Sequence, residues 1–274
     1  MSAACWGGSD FIGGLGARRS PALLVVFSGH FITLIVLLAV CLGTHLVLPE
    51  RHYLVFAALG GFEGALSLAL FYRALAMGAM GLTAALTGLL TALVPVLFSL
   101  FRDGLPTPLA IAGLGLGLVA IWLITNSPAA YDAKDKQAAT PPAALLMGAV
   151  AGLGFGAQLI LFKFAAGGGI LWVMTSTRAA GVTAMLLVLM VMPPEAPWRG
   201  FWWFGVLAGS LDTIGNLFYI QTTRMGRLDV AAMVGSLYPA GTILLAAVFL
   251  REWPSRRQFA GIGLALGAVV LLSI

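Results

Sequence analysis

Apolar runs of about twenty residues, the length an α-helix needs to cross the hydrocarbon core of a bilayer, follow one another from end to end of this 274-residue chain. In lipid, every backbone N–H and C=O must be satisfied within the protein, so such runs are expected to fold as helices. Ten candidate spans are read at 2–18, 22–43, 53–76, 82–101, 107–125, 143–165, 168–192, 199–222, 229–250 and 256–274. Chain breakers separate them: Arg19-Ser20-Pro21, Leu48-Pro49-Glu50, Asp103-Gly104-Leu105-Pro106, Pro193-Pro194-Glu195 and Glu252-Trp253-Pro254. The connections are short, so consecutive helices are expected to be antiparallel neighbours. The longest polar segment, 126–142, carries Asp132, Lys134, Asp135 and Lys136 and lies at the midpoint of the chain.

Composition closes off the other classes. Charged residues make up 9% of the chain, against about 25% in an average soluble domain, and the mean hydropathy is +1.01. A soluble enzyme, a disordered regulator and a nucleic-acid binder are excluded on that ground. The net charge of +5 does not form a basic patch. Its Lys and Arg residues sit singly or in pairs between apolar runs, as loop charges of a multi-pass protein do. Cys5 and Cys41 lie in apolar stretches without metal-ligand spacing and read as small core residues. No basic region precedes the first run, so no cleavable signal peptide is expected. A native N-terminal extension remains compatible with so abrupt a start. Gly115-Leu116-Gly117-Leu118-Val119-Ala120 mimics a dinucleotide fingerprint, but it lies inside a span with no strand before it. No Walker A sequence is present and the three histidines are scattered. No cofactor and no metal are therefore expected.

The two halves repeat at a separation of about 148 residues. Phe71-Tyr72 matches Phe218-Tyr219, Met77-Gly78 matches Met225-Gly226, and Arg102-Asp103 matches Arg251-Glu252. Pro106 and Gly113 match Pro254 and Gly261, and Glu63 of the third span falls opposite Asp212 of the eighth. Five spans per half is an odd number, so the second half is expected to enter the membrane the other way up. Such inverted duplication is common in secondary transporters, whose site lies at the repeat interface. The expected organisation is a first five-helix repeat over 1–125, a linker over 126–142 and a second repeat over 143–274. The expected fold is thus all-α and integral to the membrane, with ten transmembrane helices as two inverted repeats around a central cavity.

Several stretches carry a family resemblance. They are Trp6-Gly7-Gly8-Ser9-Asp10-Phe11-Ile12-Gly13-Gly14 with Arg18-Arg19-Ser20-Pro21, then Ser236-Leu237-Tyr238-Pro239, and Arg251-Glu252-Trp253-Pro254 with Gln258-Phe259-Ala260-Gly261. Together they resemble the EamA family of the drug/metabolite transporter superfamily. The resemblance covers essentially the whole chain, although Asp103-Gly104 stands where the first half of the family has Glu-Arg. It implies ten helices, a cavity between two five-helix halves and transport of small metabolites, often the export of amino acids.

A charged side chain at mid-membrane costs about 2.5–3.5 kcal/mol on insertion scales, so each needs a partner or a task. Gly205, Gly209, Asp212, Asn216, Tyr219 and Thr223 share one face of the eighth span, opposite Leu207, Leu211, Ile214 and Phe218. Asp212 and Asn216 either bind a polar or cationic group of a substrate or lock helix packing as part of a buried ion pair. Glu63 lies on a similar face with Gly60, Gly64, Ser67 and Phe71. Glu63 and Asp212 are the candidates for taking up a coupling proton in one state and releasing it in the other. Asp10 shares a face with Trp6, Gly13 and Ala17. Arg178, alone within the seventh span, needs Asp10, Glu63 or Asp212 as its partner, or it receives a substrate carboxylate in a bidentate fork. His30 is its counterpart in the second span, a packing residue or a proton relay. Tyr72, Gln158 and the ladder Thr83, Thr87, Thr91 complete the candidate lining, although threonines also bond back to their own helix. Arg73, Lys163, Arg224 and Arg227 sit near span ends and read as snorkelling side chains. Trp172, Trp198, Trp202, Trp203 and Trp253 suit an interfacial belt. Glycines at four-residue spacing, Gly60-Gly64, Gly113-Gly117, Gly148-Gly152-Gly156, Gly205-Gly209 and Gly263-Gly267, invite close helix approach in lipid.

The sequence thus reads as a secondary transporter, not an enzyme, working by alternating access on a small-molecule substrate. Helices three, four, eight and nine would line the site, and the segment 236–241 would serve as a hinge. The alternative is a multidrug exporter of lipophilic cations, favoured by the membrane acids and by Trp6, Tyr72 and Tyr219. An integral-membrane enzyme or lipid-handling protein comes third. The expected partners are substrate and membrane lipid, with no nucleic acid, in a monomer or homodimer of the plasma or inner membrane. The loop charge bias, read by the positive-inside rule, puts both termini outside, whereas the resemblance puts them in the cytoplasm. Asp212→Asn is expected to leave membrane expression intact while changing transport.

Overall fold

The computed structural model describes residues 1–103, 108–125, 140–194, 200–224, 238–251 and 255–273. The expectations placed on 103–106, 126–142, 236–241 and 252–254, and those on Trp198, Arg227 and the Thr223 side chain, lie wholly or partly outside them. Every described element is helical. In chain order these are α1 (Ser2–Ala17), α2 (Ala22–Gly43), α3 (Arg51–Met77), α4 (Met80–Asp103), α5 (Pro108–Thr125), α6 (Pro142–Ala165), α7 (Ile170–Val191), α8 (Phe201–Arg224), α9 (Tyr238–Leu245) and α10 (Arg256–Ser273). A 3₁₀ turn over Ala166–Gly168 joins α6 to α7, and a π-helical turn over Ala246–Leu250 extends α9.

The ends fall where the chain chemistry puts them. Pro21 precedes α2, and Pro142 opens α6, where its missing N–H costs nothing. Gly169, with φ of 80°, turns the chain into α7 in a conformation that a side chain would strain. Pro95 lies inside α4 and removes the donor that would have bonded the carbonyl of Thr91. Four helical segments are long and apolar enough to cross a bilayer: Ala22–Gly43, Arg51–Met77, Pro142–Gly168 and Ile170–Val191. Shorter apolar helical segments run over Met80–Pro95, Ile111–Ala120, Tyr238–Leu250 and Phe259–Ala268. α1 is short, and α8 is diluted by its polar stripe. The count of ten helices agrees with the sequence reading, while clear spans by length and hydropathy number four among the described residues.

Polarity is distributed as lipid demands. Large apolar side chains such as Leu42, Val47, Met190, Trp203 and Phe249 are exposed, while Asp10, His30, Arg178 and Asn216 are buried. In a water-soluble protein the burial would run the other way.

The halves pack on each other through matched contacts. α1 lies along α8, with Ser2 donating to the Gly215 carbonyl and Ser9 to that of Ala208. α6 lies along α3, with Gln158 donating to the Gly60 carbonyl. α2 crosses α8 where a Cβ on Gly209 would run into the Gly29 Cα, and α3 crosses α7 where a Cβ on Gly61 would run into the Thr177 carbonyl oxygen. α5 packs against α10. Two further pairs run antiparallel. Along α2 and α7, His30 meets Arg178, Cys41 meets Thr175, and the Leu46 carbonyl just beyond α2 meets Trp172. Along α4 and α9, Gly81 faces Ile243, Gly88 faces Pro239, and Thr91 meets Tyr238.

Candidate functional site

At the centre of this packing is a narrow cavity of about 50 Å³, room for a few water molecules. Its wall comprises Trp6 and Asp10 of α1, Leu68 of α3, Thr91 of α4, Phe155, Gln158 and Leu159 of α6, Asp212 and Asn216 of α8 and Tyr238 of α9. Six helices contribute: α1, α3, α4, α6, α8 and α9.

The charged part of the site is built on α7 and α8. Arg178, 1% exposed, extends from α7 and donates from Nη2 to Asp212 Oδ2 at 2.5 Å. The same oxygen accepts from Asn216 Nδ2 at 3.1 Å, one helical turn along α8. Arg178 Nη1 lies 2.9 Å from His30 Nε2 on α2. A guanidinium can only donate, so Nε2 must present its lone pair. His30 Nδ1 then carries the hydrogen and donates to the Val26 carbonyl at 3.1 Å. The ring is therefore the neutral Nδ1–H tautomer. Of the three carboxylates the sequence offered Arg178, the fold supplies Asp212. The guanidinium is occupied on two sides and is not open to a substrate carboxylate, while its Nε is buried without a partner.

Asp10 is different. It is 6% exposed, it faces the cavity, and among the described residues no basic side chain reaches it. The Thr242 hydroxyl is 3.5 Å from Asp10 Oδ2, 3.3 Å from the Gly7 carbonyl oxygen and 3.5 Å from that of Tyr238. One hydrogen spread over three acceptors at such lengths satisfies none of them well. Asp212 and Arg178 pair with each other, so Asp10 brings to the cavity wall a carboxyl group that no described basic side chain pairs. Aromatic rings surround it. Trp6 stands 5.7 Å from Tyr219 and edge-on to Tyr238 at 6.1 Å, centroid to centroid.

The remaining candidates are placed as follows. Tyr219 is buried behind Trp6 and outside the cavity wall. The Tyr72 hydroxyl lies 2.9 Å from Ser9 Oγ. Since that oxygen donates to Ala208, Tyr72 is the donor, and it ties α3 to α1. Glu63 Oε1 accepts from Ser67 at 2.6 Å, and its Oε2 is buried without a partner. Glu63 lies against Gly154 of α6, not in the cavity wall and not on Arg178. The register explains this. His30 and Arg178 are 148 residues apart, and the contacts Gly29–Gly209 and Thr177–Gly61 are exchanged by that same separation. At this spacing the counterpart of Asp212 is Gly64, and the counterpart of Asp10 is Gln158. Pairing Glu63 with Asp212 is off by one residue, which on a helix is about 100° of rotation. In the threonine ladder, Thr91 bonds back to the Thr87 carbonyl, Thr87 donates across to Gly148, and Thr83 Oγ1 is buried without a partner. Tyr238, Phe155, Leu68 and Leu159 were not among the candidate site residues. The signal for Tyr238 was its place beside Pro239 in one of the stretches that carry the family resemblance.

Residues 142–274 match the EamA-like transporter family. No curated protein matches the chain. A crystal structure of another protein superposes with a TM-score of 0.66 at 19% identity, covering 99% of this chain and 94% of that one. That likeness bears on the fold alone.

Proposed function

We propose that this chain, whose residues 142–274 match the EamA-like transporter family, is a multi-pass membrane transporter that moves small polar metabolites bearing an amino group, amino acids foremost, out of the cell by alternating access. The observation that carries this reading is the Asp10 carboxyl group, without a described basic partner, on a cavity already holding the Asp212–Arg178 pair. A carboxylate at this depth needs a partner, and an ammonium group entering the cavity would supply one. The faces of Trp6 and Tyr238 add cation–π attraction. The narrowness of the cavity favours a small substrate over a lipophilic dye and calls for an opening movement before anything of substrate size can enter.

The inverted five-helix repeat belongs to the same proposal. Helices α2 and α7 are repeat counterparts, as are α4 and α9, and each pair runs antiparallel. Counterparts that run antiparallel across a common axis support halves of opposite orientation. His30 and Arg178, counterparts in direct contact, mark where that axis would pass. Rocking about it would open the cavity to either side in turn, in the plasma or inner membrane.

The test is uptake into proteoliposomes of a panel of L-amino acids and small amines against cationic dyes, for the wild type and Asp10→Asn. A charge-assisted hydrogen bond is worth about 1.5–3 kcal/mol, so Asp10→Asn should weaken apparent affinity by about tenfold or more. The variant should fold normally, since it removes a charge that no described side chain balances. Dye flux without amine flux would shift the reading to multidrug export. Flux of neither would return attention to an enzyme or lipid-handling role.

A further inference from the structure

Hydrogen-bond acceptors are left over in the cavity wall, and the excess selects among amines. We propose that the cavity distinguishes amines by the number of N–H groups they bring, favouring a primary ammonium over its N-methylated and quaternary relatives, and that Gln158 is a specificity-determining residue for that choice. The inference rests on the amine reading above.

Two side-chain amides stand in the wall, and their partners fix which way round each one lies. Gln158 meets the Gly60 carbonyl oxygen at 2.9 Å. A carbonyl only accepts, so the Gln158 nitrogen takes that position and Oε1 is left on the other arm of the amide. Gly64 makes room for this placement, since a Cβ there would run into the Gln158 amide nitrogen. Asn216 meets Asp212 Oδ2, which Arg178 also holds. That oxygen accepts from both, so Asn216 Nδ2 points at it and Oδ1 is left over. The acids are bonded just as one-sidedly. Thr242 reaches Oδ2 of Asp10, and Arg178 and Asn216 reach Oδ2 of Asp212.

Four oxygens thus have no hydrogen bond among the described residues: Gln158 Oε1, Asn216 Oδ1, Asp10 Oδ1 and Asp212 Oδ1. None of them is sealed off. The described side-chain polar atoms that are buried without a partner are Glu63 Oε2, Thr83 Oγ1 and Arg178 Nε. The open space that the four residues share is the cavity. The donors of the wall do not reach these oxygens. Thr91 gives its hydrogen to the Thr87 carbonyl, and the Tyr238 hydroxyl lies 3.5 Å from Thr91.

A primary ammonium brings three N–H donors to such a wall, a trimethylammonium brings one and a tetramethylammonium none. Attraction to the Trp6 and Tyr238 rings acts on all of them alike. What separates them is the acceptors each leaves unmet after water is displaced. A site built to hydrogen-bond an N–H rejects an analogue lacking it far more strongly than an apolar pocket rejects an extra methyl group. Neither amide titrates, so their share of the selectivity does not depend on the charge of Asp10.

The experiment is competition by methylammonium, trimethylammonium and tetramethylammonium against radiolabelled methylammonium bound to the purified protein in detergent at neutral pH. Wild-type affinity should fall along that series, by about a hundredfold from first to last. Size alone would also order the series, so variants separate the two causes. Gln158→Met keeps the length of the side chain and removes the amide oxygen. It should weaken methylammonium by about tenfold and leave tetramethylammonium within about threefold of the wild type. Gly64→Ala should do the same by displacing the Gln158 amide, and its new methyl group meets only the far end of a flexible side chain. A full wild-type preference in both variants would overturn the role of Gln158. Equal wild-type affinity for the three ions, which needs no variant to read, would overturn selection by N–H number while leaving the amine reading in place. Absence of methylammonium binding to the wild type would instead overturn the amine reading, and this inference with it.

Discussion

A buried arginine declares that it needs an anion, but not which one. The sequence offered Arg178 three carboxylates on three other helices, and only the three-dimensional approach of α7 to α8 selects Asp212. Asp212 and Asn216 were legible as one helical face because their spacing fixes it. Their engagement with Arg178 was not, because partners across helices depend on crossing geometry that no local pattern records. The pairing changes what a substitution at this site should do. Asp212→Asn leaves a guanidinium buried with only His30 beside it, so a loss of stability is expected with any loss of transport, contrary to the sequence-based expectation of unaltered expression. Breaking a buried ion pair from one side costs about 3–5 kcal/mol. Arg178→Gln and Asp212→Asn should each lower the melting temperature and the monodisperse yield in detergent. The double variant, which buries no lone charge, should recover most of that loss. A double variant as unstable as the sum of the two singles would show that the residues act independently.

At the scale of helices, the sequence reading was strongest where lipid enforces one solution. Most described helix ends fall within two residues of those read from the apolar runs, because a bilayer sets the length and prolines set the limits. The glycine pairs were legible as sites of close approach, but not their partners or their tightness. Gly209 faces Gly29 so closely that any side chain must push α8 from α2, whereas Gly115 of α5 has nothing within 4 Å of a built Cβ. The two should respond with opposite sign. Gly209→Ala should destabilise by about 1–3 kcal/mol through overpacking. Gly115→Ala should be neutral or stabilising by up to about 1 kcal/mol through the better helix propensity of alanine. Thermal unfolding in a single detergent would read both. An unchanged midpoint for Gly209→Ala would mean that the α2–α8 crossing yields readily, which a rigid axis through His30 and Arg178 cannot do.

For the molecule as a whole, the proposed repeat rests on turn and proline matches in the sequence, and those matches drift between separations by a residue or two. Loop residues tolerate such drift, whereas a helix face does not. The register that matters is the one at which contacts exchange, and it could be read only once His30 was seen touching its own counterpart. At that register Gly64, not Glu63, falls opposite Asp212; of the cavity-wall residues, Asp10 and Asp212 lie on α1 and α8, and Gln158 lies on α6. The orientation of the halves has a direct test. Thr44 follows α2 and Met192 follows α7, both exposed. With Cys5 and Cys41 replaced by alanine, single cysteines at Thr44 and Met192 should react with a membrane-impermeant maleimide from opposite sides in oriented vesicles. Five crossings separate the two ends if the halves are inverted, and an odd number of crossings changes sides. Labelling of both from one side would require an even number and would remove the inverted repeat, and with it the rocking movement about an axis at His30 and Arg178 that is proposed to open the cavity.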